Sequence, residues 1–311
     1  MPMDAGIPER WRRDAPLSRL TTWRIGGAAA FFSRPRDRQE LEEDVAAAAR
    51  HDLPVFAIGS GSNLLFPDAG YPGLLVHLPS GDPRTMEGHA LPAAAGHAAP
   101  LLARCLAGAS LSGTVRHLAR LGWAGLEWAE GIPGTLGGAI VNNAGAFGGE
   151  ISKILETAQV CAPPEPPQSW SAADLALAYR HSRLKGSEPT RWFILSGSLR
   201  LAPGNPGELA ARMAEIRSQR RRSTPREPSC GSVFRNPPGG WAGKLIEEAG
   251  LKGMRVGNVQ VSTRHANYMV NRGGATAREA LELISLARER VHAAFGIELE
   301  LEVQVVSPAA M

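Results

Sequence analysis

Four stretches of this 311-residue sequence gather side chains able to do chemistry. In CGSVFRNP (230 to 237), Ser232 sits between a glycine and two apolar residues. Its hydroxyl could be a nucleophile, a proton donor or a turn residue. A nucleophile wants a neighbouring base or a G-x-S-x-G elbow. Phe234 stands where the elbow needs its second glycine, and no histidine lies in a triad context, so the hydrolase reading is weak. Cys230 could be a redox thiol, but a small buried residue is the simpler use. In AYRHSRLK (178 to 185), Arg180, His181, Arg183 and Lys185 occupy six positions. They form either a solvated face or a clamp for a carboxylate or diphosphate, which guanidinium groups hold bidentately.

The other two stretches are rich in glycine. IGSGSNLL (58 to 65) follows a short apolar run. Small residues there let backbone N–H groups form an anion nest, and Ser60, Ser62 and Asn63 add side-chain donors. A plain tight turn is the alternative. The dinucleotide and NTP glycine fingerprints do not fit. GIPGTLGGAIVNNAGAFGGE (131 to 150) is too glycine-dense for a packed helix or strand. Ile132, Leu136, Ile140 and Val141 argue for an ordered loop against a flat ligand rather than a linker. Glu302 lies in an acidic stripe with Glu298 and Glu300, and spacing does not single it out. The eight histidines show no metal-ligand spacing, so no metal is expected.

The elements that must position these residues read as follows. Helical spacing covers 35 to 50, and LPVFAIGSGSNLLF is a strand running into a turn. LSGTVRHLARLGW is an amphipathic helix, and CAPPEPPQSW a connection or hairpin tip. A helix over 207 to 222 ends in arginines, and WAGKLIEEAGLKG is a short helix with a glycine stop. T-A-R-E from Thr276 is a capping box, followed by a stripe of Leu283, Ala287, Val291 and Ala294. IELELEVQVV predicts a strand with Leu299, Leu301, Val303 and Val305 on one face. Residues 67 to 107 carry little pattern. The class is α+β, with a break near residue 203.

Composition agrees with a soluble chain: 43% hydrophobic, 21% charged, net charge +4. Apart from Arg217 and Arg220 to Arg222 the cations are scattered, without interleaved aromatics, which favours small anionic ligands over nucleic acid. Three cysteines without a CxxC pair suit a reducing cytoplasm and argue against disulfides or structural zinc. The charged N-terminus is no signal peptide, and no apolar run reaches membrane length.

Eight segments, in order, resemble the UDP-N-acetylenolpyruvoylglucosamine reductases, flavoenzymes of bacterial cell-wall precursor synthesis. They are TTWRIGGAA (21 to 29), IGSGSNLLFPDAG (58 to 70), GLEWAEGIPGTLGGAIVNNAGAFGGEI (125 to 151), YRHSRLK (179 to 185), PSCGSVFRNP (228 to 237), AGKLIEEAGLKG (242 to 253), STRHANYMVNRGGATA (262 to 277) and FGIELELEV (295 to 303). The resemblance implies an N-terminal extension (1 to 16) and a two-part FAD-binding unit of the vanillyl-alcohol-oxidase type (17 to 203, parts about 17 to 80 and 81 to 203). A C-terminal α/β substrate-binding domain (204 to 307) follows. It implies FAD held by Ile58, Gly59, Ser60, Gly61, Ser62, Asn63 and Leu64, and by Ile132, Pro133, Gly134, Thr135, Gly137, Gly138, Ala139, Asn143 and Gly145.

It further implies NADPH as reductant and a UDP-sugar enolpyruvyl ether as substrate, reduced to UDP-N-acetylmuramate. Arg180 would hold the substrate carboxylate, Glu302 would sit by it, and Ser232 would donate the proton. Tyr179, Asn236, Lys244 and His265 match substrate-contact positions. No nucleic-acid or membrane partner is implied, and a cytoplasmic monomer is expected. No tyrosine lies between Tyr179 and Tyr268, so the chain resembles the family's shorter form, without its tyrosine-bearing loop. Arg220 to Arg222 and Arg226 are then candidates to cover the diphosphate.

Overall fold

Asp37 opens the first helix, α1 (Arg38–Arg50), by accepting the Glu40 N–H on its side chain at 2.9 Å. Leu41, Ala47 and Ala48 are buried from it, together with Asp44. That carboxylate takes donors from Arg10, Trp11 and Ser33, at 2.6, 2.6 and 2.5 Å, and so ties the chain start to the helix. The computed structural model describes residues 6–78, 87–90 (backbone), 100–186 and 191–307. They form two discontinuous compact units. The first comprises Met1–Trp11, Ser33–Gly59 and Leu75–Arg220; the second comprises Arg12–Phe32, Ser60–Leu74 and Arg221–Met311.

The first unit is built on an antiparallel sheet in the order Gln168–Trp170, Leu155–Cys161, Phe193–Pro203, Leu101–Leu106, Glu87–Ala90. Trp123–Ala124 pairs with the end of the long strand. The proline-rich stretch is the tip of a hairpin between Leu155–Cys161 and Gln168–Trp170. Helix α2 (Leu111–Arg120) starts on the Ser110 cap and buries Leu111, Val115 and Leu118, the amphipathic face its sequence predicts. These side chains join Leu136, Ile140, Leu155, Ile194 and Leu199 in one core. Helix α4 (Pro206–Ser223) closes the unit with Leu209, Met213 and Ile216.

The stretch expected to be loop-like holds a short helix, α3 (Leu136–Val141). Thr135 caps it by accepting the Gly138 N–H at 3.3 Å. A Cβ at Gly137 would lie 2.9 Å from the Ala107 Cβ, so glycine here permits close helix packing rather than preventing a helix. Between 67 and 107, the poorly patterned part, the chain forms the strands Tyr71–Val76, Glu87–Ala90 and Leu101–Leu106; residues 79–86 and 91–99 lie outside the described residues.

The second unit pairs Ser229–Ser232, Tyr268–Asn271, Val259–Val261 and Arg255–Val256 in that order, all antiparallel. Helices α5 (Ala242–Glu248) and α6 (Ala277–Phe295) share its core with Trp23, Ile25, Phe234 and Met269. The capping box forms: Thr276 accepts from Glu279 N–H, and the Glu279 side chain accepts from Thr276 N–H. Asp68 takes the next two, Ala277 N–H at 2.7 Å and Arg278 N–H at 3.0 Å. Together these partners satisfy the first turn of α6. Ala294 departs from the expected stripe. It is exposed with Phe295, where the last turn runs past the core before Gly296 (φ +68°) ends the helix.

The closing strand is also corrected. Leu299 and Val303 are buried, as the alternation predicts, but only Gln304–Val305 is strand, parallel to Leu64–Leu65. Glu302 and Val303 both donate their N–H to the Val233 carbonyl, at 2.8 and 3.2 Å. One acceptor serving two successive donors breaks the alternation a ladder needs.

Candidate active site

In the first unit the glycine-rich stretch and the Arg180 loop are interlocked. Asn143 is buried and donates from its side chain to the Ala178 carbonyl at 2.9 Å, while accepting the Ser152 N–H at 2.9 Å. Ser182 donates to the Val141 carbonyl at 2.6 Å. The Arg180 guanidinium donates to the carbonyls of Gly145 (2.5 Å) and Asn143 (3.3 Å), and lies over the exposed Tyr179 ring, 5.1 Å from its centre. Lys185 donates to the Arg180 carbonyl at 3.1 Å. Asn143, Phe147 and Arg180 have left-handed φ of +39°, +49° and +54°. Such backbone strain persists where the surroundings enforce it, often at functional sites. Phe147 and Gly148 form the two-residue turn of a small hairpin, Gly145–Ala146 with Gly149–Glu150.

The same unit brings its two glycine motifs together. A Cβ at Gly59 would lie 2.5 Å from Thr135 Oγ1, so only glycine allows that approach. Ile58 is buried and Gly59 partly exposed. Pro133 is exposed, while Ile132, Gly134 and Gly138 are partly exposed. Thr135, Gly137 and Ala139 are buried behind them. This leaves stretches of backbone free of projecting side chains, the surface a flat ligand needs. Glu130, at the mouth of the loop, was not singled out by its spacing. Its buried carboxylate accepts Arg116 at 2.9 Å and Arg217 at 3.0 Å, partners 14 and 87 residues away that no local pattern connects.

In the second unit Gly61, at φ +60°, would bring a Cβ to 2.2 Å of the Leu20 carbonyl, and Thr22 donates its N–H to Gly61 at 3.2 Å. Ser60 is exposed; Ser62, Asn63 and Leu64 are partly so. Glycine backbone with two hydroxyls is the donor set a pyrophosphate requires. The Asn63 amide donates to the Glu302 carbonyl at 3.1 Å, and Asn63 O accepts Gln304 N–H at 3.0 Å. The turn is thereby joined to the Glu302 segment.

Ser232, half-buried, ends its strand after a bulge in which Gly231 takes φ +82°. The Val233 carbonyl that follows it accepts the Glu302 N–H at 2.8 Å. The segment that follows Ser232 is thus joined to Glu302, far along the sequence. Cys230 is fully buried; burial pushes its thiol well above the usual range and the Glu302 carboxylate adds to the shift. A redox role for it is disfavoured.

Asn236 accepts the Ala242 N–H at 3.1 Å, fixing the start of α5. Lys244 is exposed and pairs with Glu248 at 3.6 Å. His265 is half-buried, stacks edge-on with Tyr268 at 4.9 Å, and accepts the Asn267 N–H on Nδ1 at 3.2 Å. Burial lowers its pKa, and Lys252 reinforces the shift. The expected residues therefore divide: Tyr179, Arg180 and the 132–145 set lie in the first unit, and Ser232, Asn236, Lys244, His265 and Glu302 in the second. No group of acidic, histidine or cysteine side chains suited to a metal occurs among the described residues.

Comparison with known proteins gives the class first. Residues 29–163 match the model of an FAD binding domain, so the chain is an α+β oxidoreductase built on an FAD-binding unit. Residues 223–306 match the model described as the UDP-N-acetylenolpyruvoylglucosamine reductase C-terminal domain. The enzyme of that name from Chloroflexus aurantiacus is 43% identical over 309 residues, covering 98% of this chain and 100% of the relative. That from Rubrobacter xylanophilus is 43% identical, covering 94% of each. The crystal structure of the Thermus caldophilus reductase superposes with a TM-score of 0.76 at 33% identity, over 96% of this chain and 98% of that one. The chain belongs to the UDP-N-acetylenolpyruvoylglucosamine reductase family, in its shorter form.

Proposed function

We propose that the chain reduces the enolpyruvyl ether of UDP-N-acetylglucosamine to UDP-N-acetylmuramate, with NADPH as reductant and FAD as carrier, in peptidoglycan precursor synthesis. The observation that carries this reading is the hydrogen bond from the Glu302 N–H to the carbonyl of Val233, the residue after Ser232, within a chain of this family. Bound FAD would take hydride from NADPH and deliver it to the vinyl carbon. The glycine-bearing turns at Ile58 to Leu64 and Ile132 to Gly145, with Ser60 and Ser62, are the residues suited to hold it.

The chain's own residues do the rest. Hydride arrival leaves negative charge on the carbon beside the substrate carboxylate, which must be stabilised and protonated. Arg180 carries a fixed, permanent positive charge suited to the carboxylate. Ser232 supplies the proton: a hydroxyl is a weak acid, but an enolate-like carbanion is a strong base. Glu302 orients that exchange, while Tyr179, Asn236, Lys244 and His265 contribute to holding the sugar nucleotide. His265, kept neutral by burial, acts as a hydrogen-bonding group rather than a charge. Residues 204 to 307 serve as the substrate-binding domain, and the protein works as a cytoplasmic monomer. Among the described residues, no helix is long and apolar enough to cross a membrane.

The test is turnover. Purified protein should carry flavin and turn over NADPH beyond one equivalent per flavin only when the enolpyruvyl sugar nucleotide is added. Continued NADPH turnover at the same rate without that substrate, or a protein that binds no flavin, contradicts the proposal.

A further inference from the structure

Asn267 is 3% exposed and lies just before the strand Tyr268–Asn271. Its side chain takes both backbone groups of one residue: Phe234 N–H donates to Oδ1 at 2.9 Å, and Nδ2 donates to the Phe234 carbonyl at 2.8 Å. A neighbouring strand would normally supply that pair of bonds. The backbone of Asn267 adds two more, accepting Val233 N–H at 2.8 Å and donating to His265 Nδ1 at 3.2 Å. The Val233 carbonyl in turn receives the N–H groups of Glu302 and Val303. Asn267 therefore holds the Val233–Phe234 segment from one side, and the Glu302 segment closes it from the other. Ser232 is attached directly to the clamped segment, beyond a bulge where the ladder is interrupted.

We propose that Asn267 is a positioning residue for the reaction, its carboxamide fixing Val233–Phe234 so that the Ser232 hydroxyl and the Glu302 carboxylate keep one mutual placement. The inference rests on Ser232 being the proton donor. An asparagine amide offers a donor and an acceptor side by side in a site this size, and unlike a carboxyl it does so without taking up a proton. Alanine removes both, and glutamine carries them one methylene too far.

The test uses the FAD-loaded enzyme with Asn267→Ala, Asn267→Gln, Ser232→Ala and the Ser232→Ala/Asn267→Ala double variant. Flavin reduction by NADPH should stay within about twofold of wild type in Asn267→Ala. Reoxidation by the enolpyruvyl sugar nucleotide should fall roughly 100-fold, as for an ångström-scale misplacement of a reacting group. Once Ser232 is gone, removing Asn267 should change reoxidation less than about threefold, because the two act as one unit. Hydrogen exchange of the Val233, Phe234 and Glu302 amides should quicken in Asn267→Ala while α6 keeps wild-type protection. Asn267→Gln should show the same split if the alanine variant does not fold.

Unchanged reoxidation in both Asn267 variants overturns the inference. So does an equal loss with and without Ser232, or an equal loss in both half-reactions. A Ser232→Ala enzyme that reoxidises at the wild-type rate overturns the donor reading and the inference with it. A slow Ser232→Ala beside a fast Asn267→Ala overturns the inference alone.

Discussion

Arg180 and Ser232 are held in opposite ways. Around Arg180 the chain is strained, with four left-handed non-glycine residues, Asn143, Phe147, Ala176 and Arg180, and side chains fix it: Asn143, Ser182 and the guanidinium itself donate to backbone carbonyls. Around Ser232 the ties are mostly peptide to peptide, through the strand pairing and the Val233 carbonyl, with the Asn267 amide replacing a missing strand. The first arrangement suits a charge presented on a loop. The second suits a short hydroxyl, whose reach is set by its backbone and which tolerates little displacement. The difference shows two routes to precision: over-determining a loop with side chains, or placing the residue at the end of a sheet.

The largest effect should come from the first clasp. Asn143→Ala leaves the half-buried Ser152 N–H without its acceptor and takes one of two donors from the Ala178 carbonyl, which keeps the His181 N–H. A loss of about 1–3 kcal/mol in unfolding free energy is expected, read from the urea midpoint. Faster amide exchange should be confined to residues of the first unit; equal loosening around Ser232 would break the contrast between the clasps.

Arg180→Ala should weaken use of the enolpyruvyl substrate by about 10–100-fold in the concentration dependence of flavin reoxidation, the worth of a charge-assisted hydrogen bond. Arg180→Lys should restore little, since an ammonium cannot span both carbonyls and a carboxylate. Asp68→Ala removes the acceptor of two N–H groups at the start of α6. It should cost about 1–2 kcal/mol in the second unit without altering flavin reduction.

The smallest effect is one of pH. Burial holds His265 and His77 below the ordinary histidine value of 6.5, with Arg34 adding to the shift at His77. The unfolded chain therefore binds more protons than the folded one. Stability is full above about pH 6.5 and declines as pH falls below it. Urea midpoints measured from pH 7.5 down to 5.5 should fall. Because His265 Nδ1 must be free to accept from Asn267, amides around Ser232 should loosen before those around Arg180.

What the sequence revealed was local. The α6 capping box, the amphipathic face of α2 and the hairpin tip after Cys161 each depend on residues within a few positions of one another. The motif series led to the family, and with it to the candidate site residues. What stayed hidden joins distant segments. The Val233–Glu302 link, the Asp68 caps on α6 and the double pairing of Glu130 leave no periodic trace. Helix α3 departs from the sequence expectation because glycine density argues against helices in general, whereas Gly137 allows this one to approach Ala107. Asn143 and Asn267 do the work of neighbouring peptides, and nothing in one sequence separates such an asparagine from a turn residue.

The central claim is that Ser232 gives the proton that completes reduction, and stopped-flow separation of the two half-reactions of Ser232→Ala tests it most directly. Flavin reduction by NADPH should match wild type, while reoxidation by the enolpyruvyl sugar nucleotide should fall about 10²–10⁴-fold, the range for loss of a general acid. Reoxidation at the wild-type rate would contradict it.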